Sequence, residues 1–437
     1  MTSKSDMDLP LMQDADLEGK VVLVRVDHNV VKKGAIGDPY RIDATLGTLY
    51  AIAERGGRVV LMSHVGRPRD KKTGRIVIGD DTSVRPIAEY LGRKLCTEFV
   101  VPELDADPEK GIRSVDDNLK ALVDDLRKRR IGGIYLPNTR WFEGEQDKGE
   151  ARDLLSRQLA GLADVFVNDA FGSWQPHAST YQVTKHLPSF AGPLMQKEIS
   201  NLGRVLEPER PFVAVVAGAK YDTKIGPLGE IYEKVDKLIL GGVLYNTYLC
   251  AKYGIRIRGV EEGDIELARK LVEQDEGEGK IVELPRVVES DGIDGRIEGG
   301  YRVLNVRELE SGLEYGFVLD AEPDSFDSEG VARALGFART IFVNAVVGFT
   351  PSFWEGSKKL YDTIFENVGA MKLLGGGDTL QDLRTLCPGR YMAAIDDPRT
   401  YFFTGGGTVL KAIERGSAHE LDTIRALREN GGRTPRA

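Results

Sequence analysis

Three glycine clusters in the second half of the chain, Gly241-Gly242, Gly375-Gly376-Gly377 and Gly405-Gly406-Gly407, each close a short apolar run. Glycine at such a junction lets backbone N–H groups come close to a ligand, and a helix that follows offers its positive end to phosphate. In GGGDT, Asp378 and Thr379 add a carboxylate and a hydroxyl suited to Mg²⁺ and phosphate. One cluster alone would equally be a tight strand–helix turn; three in one half favour a nucleotide site. Lys220 and Lys224, in AGAKYDTKIG, stand four apart and share a face if the segment is helical. At a helix start they oppose the dipole unless an anion sits there; the alternative is a solvated surface.

The first half carries a different set. Asp27 and Asn29 follow one apolar run, His64 and Arg67 a second, Arg140 a third, and Asn168, Asp169 and His177 a fourth, with Arg41 in between. In a parallel sheet, groups just past the strands converge on one edge. A single loop arginine is bland, but three arginines and two histidines at matching positions suggest an anion pocket, since guanidinium grips phosphate or carboxylate with two parallel hydrogen bonds. One half thus presents a basic pocket and the other phosphate-cradling loops. Phosphotransfer would need both, and closure would exclude the water that competes as acceptor.

The elements that must position these groups alternate. Strands are expected at 21–26, 58–63, 133–137 and 164–168, and helices near 42–55, 83–93, 115–129 and 148–161. The strand runs are almost wholly apolar, the mark of strands buried on both faces of a parallel sheet. A second series of strands is expected at 211–218, 237–242, 340–348, 371–379 and 401–407, with helices and an excursion of short strands over 260–335. The prolines and glycines of 186–211 mark a break around one helix. The expected organisation is therefore an N-terminal acid-binding domain (1–188), an interdomain helix (189–207) and a nucleotide-binding domain (208–411), with the tail (412–437) packing back on the first. Both domains are expected to be Rossmann-like three-layer α/β/α units with mostly parallel sheets.

At 437 residues the chain is too long for one ordinary core. A net charge of -9 argues against a nucleic-acid or membrane-surface partner. Three scattered cysteines form no disulfide framework or metal-ligand spacing. Without an apolar leader or a run of about 20 apolar residues, a cytoplasmic protein is expected. No GxxxxGK[ST], GxGxxG after the first strand, HExxH or GxSxG occurs, which disfavours P-loop, dinucleotide, zincin and α/β-hydrolase chemistry.

VLVRVDHN, SHVGRP, LPNTRWFEGE, DVFVNDAFG with HAST, RPFVAVVAGAK, LILGG, FVNAVVG, GGGDT and TGGG, in this order across about residues 20 to 410, resemble phosphoglycerate kinase. The resemblance implies a glycolytic and gluconeogenic Mg²⁺-dependent kinase, expected to be a monomer, that moves a phosphoryl group between 1,3-bisphosphoglycerate and ADP. It implies that Asp27, Asn29, Arg41, His64, Arg67 and Arg140 hold phosphoglycerate, with Arg41 also at the transferred group. It implies that Lys224 neutralises charge in transit, with Lys220 nearby, and that Asp378 serves the metal–nucleotide. Gly241, Gly242, Gly376, Gly377 and Thr379 would border the nucleotide, and Gly377, Gly406 and Gly407 would lie by the reacting group. Such chemistry needs positioning and charge neutralisation rather than a covalent nucleophile.

The sequence also departs from the family pattern. His28 replaces the aromatic residue of VDFN. FGSWQPHAST is one residue shorter than the usual AFGTAHRAHAST and lacks its arginine, a loss of about 1.5–3 kcal/mol unless Trp174, Gln175 or a neighbouring loop compensates. NAVVGFTP lacks the glutamate that usually contacts the ribose, DIGPKT becomes DAEPDS, and GGAK becomes AGAK. Two alternatives stay open: a kinase acting on a different carboxylate, and a non-catalytic nucleotide or phosphoglycerate sensor.

Overall fold

A computed structural model describes residues 7–115, 117–218 and 225–432. The chain forms two compact units, Met1–Ser200 with Ala418–Ala437, and Asn201–Ser417.

The first unit is built on a six-stranded parallel sheet in the order Ser189–Ala191, Val165–Asn168, Val21–Arg25, Arg58–Met62, Gly133–Tyr135, Phe99–Val100. Alternate residues of one strand feed two cores. Val22 and Val24 pack with Ile52, Ile87 and Leu91, whereas Val21 and Leu23 pack with Leu119, Leu126 and Leu159. A strand buried on both faces must be apolar throughout, which is why these runs show no alternation. The first strand lies between Arg58–Met62 and Val165–Asn168, so its carboxyl end opens at the point where strand order reverses, the usual ligand crevice of such sheets.

The second unit carries a five-stranded parallel sheet, Lys237–Gly241, Phe212–Gly218, Thr340–Asn344, Met371–Gly375, Thr400–Phe403. Between its second and third strands in sequence stand the helix Glu262–Glu278 and an antiparallel sheet of Tyr301–Asn305, Arg286–Ser290 and Phe317–Ala321.

Several boundaries differ from expectation. The strands expected to run to 348, 379 and 407 stop at Asn344, Gly375 and Phe403, because Gly376 (φ 120°) turns the chain and helices start at Gly377 and Gly406. The helix expected over 42–55 is two pieces, Tyr40–Asp43 and Leu46–Glu54, with the Thr45 hydroxyl donating to the Ile42 carbonyl at the break (2.8 Å). The interdomain helix is Pro193–Leu206; residues 189–191, expected within it, are instead an edge strand of the first sheet. The division between units falls inside this helix, after Ser200, and residues 412–417 group with the second unit. The helix Asp422–Asn430 groups with the first unit, where Asn430 donates to Thr184 (3.2 Å) and the Gly432 amide to the Ser189 carbonyl (3.1 Å).

Candidate active site in two units

In the first unit the strand ends gather a cationic cluster around His64. Arg25, the last residue of the first strand, is fully buried; its Nη1 donates to the Val26 carbonyl (2.7 Å) and its Nη2 reaches His64 Nδ1 (3.1 Å). Guanidinium can only donate, so His64 Nδ1 is the acceptor and its proton resides on Nε2. Burial first, then the charges of Arg25, Arg140, His177 and Arg41, pushes the His64 pKa well down. Burial and the same Arg25 and Arg140, joined by Arg152, lower that of His177 against the pull of Glu145. Both histidines were expected in the anion pocket; burial beside guanidiniums makes them neutral there. The cations are Arg25, Arg41, Arg67 and Arg140. Arg140 feels Arg25 and Arg67 and donates from Nη1 to the Gly66 carbonyl (2.5 Å).

Two carboxylates act on Arg25 and Arg140. Glu145 is buried and accepts from the Ser179 amide (3.0 Å) and hydroxyl (2.6 Å). Asp27 pairs loosely with Arg41 (3.5 Å). Asp27 Oδ1 and Arg140 Nε are buried without a hydrogen-bond partner among the described residues. Excess positive charge beside unsatisfied buried polar atoms suits a polar anionic ligand. Asn29 fixes the rim, its Oδ1 accepting from the Gly66 amide (2.8 Å), and Arg67 is exposed beside it.

Asp169 serves a structural purpose instead. Its Oδ1 accepts from the Leu194 (2.9 Å) and Met195 (3.1 Å) amides in the first turn of Pro193–Leu206, and Oδ2 accepts from Thr48 (2.5 Å). It caps that helix, and burial raises its pKa to about 6. Asn168 likewise turns inward, accepting from the Ala170 amide (3.1 Å). His28 is satisfied on both sides. Thr45 gives its single proton to Ile42, so it accepts from His28 Nε2 (3.0 Å), leaving Nδ1 (3.0 Å) for the Tyr135 hydroxyl proton. Burial, with Arg25 and Arg41, lowers its pKa to about 3.

In the second unit, Gly242, Gly376, Gly377, Asp378 and Thr379 line one cavity of about 1150 Å³ at the carboxyl ends of the strands. Gly242 (φ 57°) and Gly376 (φ 120°) occupy backbone conformations that favour glycine. Asn344, absent from the site residues read in the sequence, holds this loop by donating from Nδ2 to the Gly375 carbonyl (2.6 Å). Trp354, Phe349 and Pro351 supply apolar wall. Two glycines are also required by packing. A Cβ on Gly241 would press on Ala217 and Val347 (3.2 Å each), so Gly241 packs behind the cavity. Gly406 supports the loop from beneath: a Cβ there would fall within 2.8 Å of Gly375 and Gly376 backbone atoms. Gly407 faces open space.

Asp378 lies exposed in the first turn of Gly377–Leu386 and lines the cavity. Asp382, one turn on, is buried and accepts from the Tyr361 hydroxyl (3.4 Å), which leaves Asp378 as the accessible carboxylate of the pair. One carboxylate beside a phosphate-binding loop is the donor set Mg²⁺ takes when phosphates supply its other ligands. No cluster of three or more metal-ligating side chains occurs among the described residues. Lys220 and Lys224 lie outside the described residues.

The family model for phosphoglycerate kinase matches residues 12–416. The chain belongs to the phosphoglycerate kinase family. A phosphoglycerate kinase of Dictyoglomus turgidum is 32% identical, covering 98% of this chain and all of that one. Another, from Moorella thermoacetica, is 34% identical over 92% of this chain and 95% of its own. Among solved structures, phosphoglycerate kinase from Coxiella burnetii matches with a TM-score of 0.71 at 29% identity, over 96% of this chain and 99% of that one. The Pyrococcus horikoshii enzyme matches in fold, with a TM-score of 0.76 at 22% identity over 97% and 99%.

Against that family, the short loop FGSWQPHAST has a cationic neighbour that the sequence did not reveal. Arg152, on the helix Glu150–Ala160, donates from Nη1 to the Pro176 carbonyl (3.4 Å), and its charge acts on His177. Its Nε is buried with no partner among the described residues. Arg25, not among the site residues read in the sequence, could have been found as the one charged residue of the apolar run 21–26; Arg152 gave no such signal.

Proposed function

We propose that this protein catalyses reversible, Mg²⁺-dependent phosphoryl transfer between 1,3-bisphosphoglycerate and ADP, giving 3-phosphoglycerate and ATP. The observation that carries this reading is the cluster of Arg25, Arg41 and Arg140 around neutral His64, with Arg67 beside Arg140. It can hold a substrate with an acidic group at each end, and Arg152 supplies cationic charge beside the shortened loop. Arg41, Arg67 and Arg140 bind the acid, His64 Nε2 donates to it, and Asp27 and Asn29 hold the rim.

The nucleotide occupies the cavity of the second unit, phosphates on the amides of Gly376, Gly377 and Thr379 and the base against Trp354 and its neighbours. Asp378 would hold Mg²⁺, which would neutralise phosphate charge when bound. Lys224 steadies the phosphoryl group in transit, Lys220 assists on the nucleotide side, and Arg41 contacts the same group from the acid. No covalent intermediate is required; the chain positions reactants and excludes water.

The short loop favours one second reading, a kinase for a related carboxylate. A coupled assay with Mg²⁺–ATP against 3-phosphoglycerate, glycerate, acetate and aspartate separates the two. The proposal requires 3-phosphoglycerate to have the highest kcat/KM, and tenfold preference for another acid would overturn it.

A further inference from the structure

The second sheet has a second cavity, of about 440 Å³, away from the glycine loops. None of its lining residues lines the nucleotide cavity. Lys372 stands near the start of Met371–Gly375, about 10 Å along the strand from the glycine turn at its other end. Its side chain is only 1% exposed, and its ammonium donates to the Ala370 carbonyl (3.1 Å). A lysine is rarely buried so fully unless paired with an acid, and no carboxylate bridges it among the described residues. Arg399 also lacks a carboxylate bridge among the described residues, its Nη1 donating to the Val368 carbonyl (2.9 Å).

Arg390 is the third cation of the lining, at 3.5 Å from Asp362. The one acid in the lining, Asp397, is occupied locally: its oxygens accept from the Arg399 amide (2.9 Å) and the Thr400 hydroxyl (3.0 Å). Phe365, Val368 and Pro398 complete the wall with apolar surface. Val368 is 76% exposed, so its side chain is open to a bound molecule.

We propose that this cavity is a binding site, separate from the reaction site, for a small organic anion with an apolar body. The phosphate or carboxylate head lies against Lys372 and Arg399, and the body against Phe365 and Val368. Burial, and then the charge of Arg399, disfavours the Lys372 ammonium, whereas Asp397 favours it; a bound anion would favour it further.

Calorimetric titration of the full-length protein with phenyl phosphate and with phenylacetate tests this and tells the two heads apart, with benzyl alcohol as the neutral control and inorganic phosphate as the bare head. At least one aryl anion should bind saturably, tighter than inorganic phosphate and benzyl alcohol. Lys372→Met should weaken it tenfold or more and Arg399→Gln at least threefold, while Asp378→Asn leaves it unchanged. Arg399 is exposed, so its variant carries the test should Lys372→Met fail to fold. The proposal fails if neither aryl anion saturates, if inorganic phosphate binds as well, if Arg399→Gln has no effect, or if Asp378→Asn is as damaging.

Discussion

Replacing His28 by phenylalanine should remove a pH dependence that the wild-type first unit carries. The imidazole is wholly buried between Tyr135 and Thr45, with its pKa lowered to about 3 against an ordinary value of 6.5. The folded unit therefore keeps it neutral over a range where the unfolded chain protonates it. The group imposes no penalty above pH 6.5, and stability is lost as pH falls from there toward 3. Between pH 7 and pH 5 the loss is about 2 kcal/mol, from 1.36 kcal/mol per pKa unit. Asp169, raised to about 6, works in the opposite sense, adding stability as pH falls through 6 toward 4. It is common to both proteins and cancels in the difference. Phenylalanine leaves Tyr135 without its acceptor, so the variant loses about 1–3 kcal/mol at pH 7; the slope with pH is the readout. In a Trp354→Phe background the remaining tryptophans, Trp141 and Trp174, both report the first unit. Urea titrations at pH 5, 6 and 7 then give the difference that His28→Phe makes in that background. Parallel slopes would show that His28 is protonated in the folded state and refute the argument.

Five further substitutions test the site. Gly406→Ala should displace the Gly375–Gly376 turn, costing about 1–3 kcal/mol of stability and raising KM for ATP more than KM for the acid; equal effects on both would refute its role as a support. Lys224→Ala should lower kcat by at least a hundredfold with little change in substrate binding, and a near-normal kcat removes it from the phosphoryl path. Arg67→Ala should mainly raise KM for the acid, and an unchanged KM displaces it from the pocket. Arg152→Ala should raise KM for the acid about tenfold, the loss of one charge-assisted contact, and Gln175→Arg in the same chain should restore it; failure of both effects excludes Arg152 from binding.

The central strands were legible because burial on both faces forces continuous apolar runs such as Val21–Arg25. The edge strands Phe99–Val100 and Ser189–Ala191 were not, since two or three residues carry no period. Residues standing just past strands were likewise readable, and Asp27, Arg41, His64, Arg67 and Arg140 do share one electrostatic neighbourhood. What they do there depends on burial and on partners distant in sequence. His64 is neutral because it is buried and because Arg25, 39 positions away in sequence, lies 3.1 Å away in space. Asp169 looks like its neighbours in sequence but caps a helix, and Gly406 packs against the backbone of Gly375 and Gly376. Spacing cannot separate those cases, since the deciding atoms belong to other elements.

The helix Asp422–Asn430 has a consequence for the order of synthesis. On the ribosome, residues 1–200 emerge first, yet the piece that covers Thr184 and Ser189 arrives only after all of Asn201–Ser417 has been made. The earlier-made portion must wait for the later one with that surface uncapped, so a stop codon near 417 would damage the half of the molecule translated first.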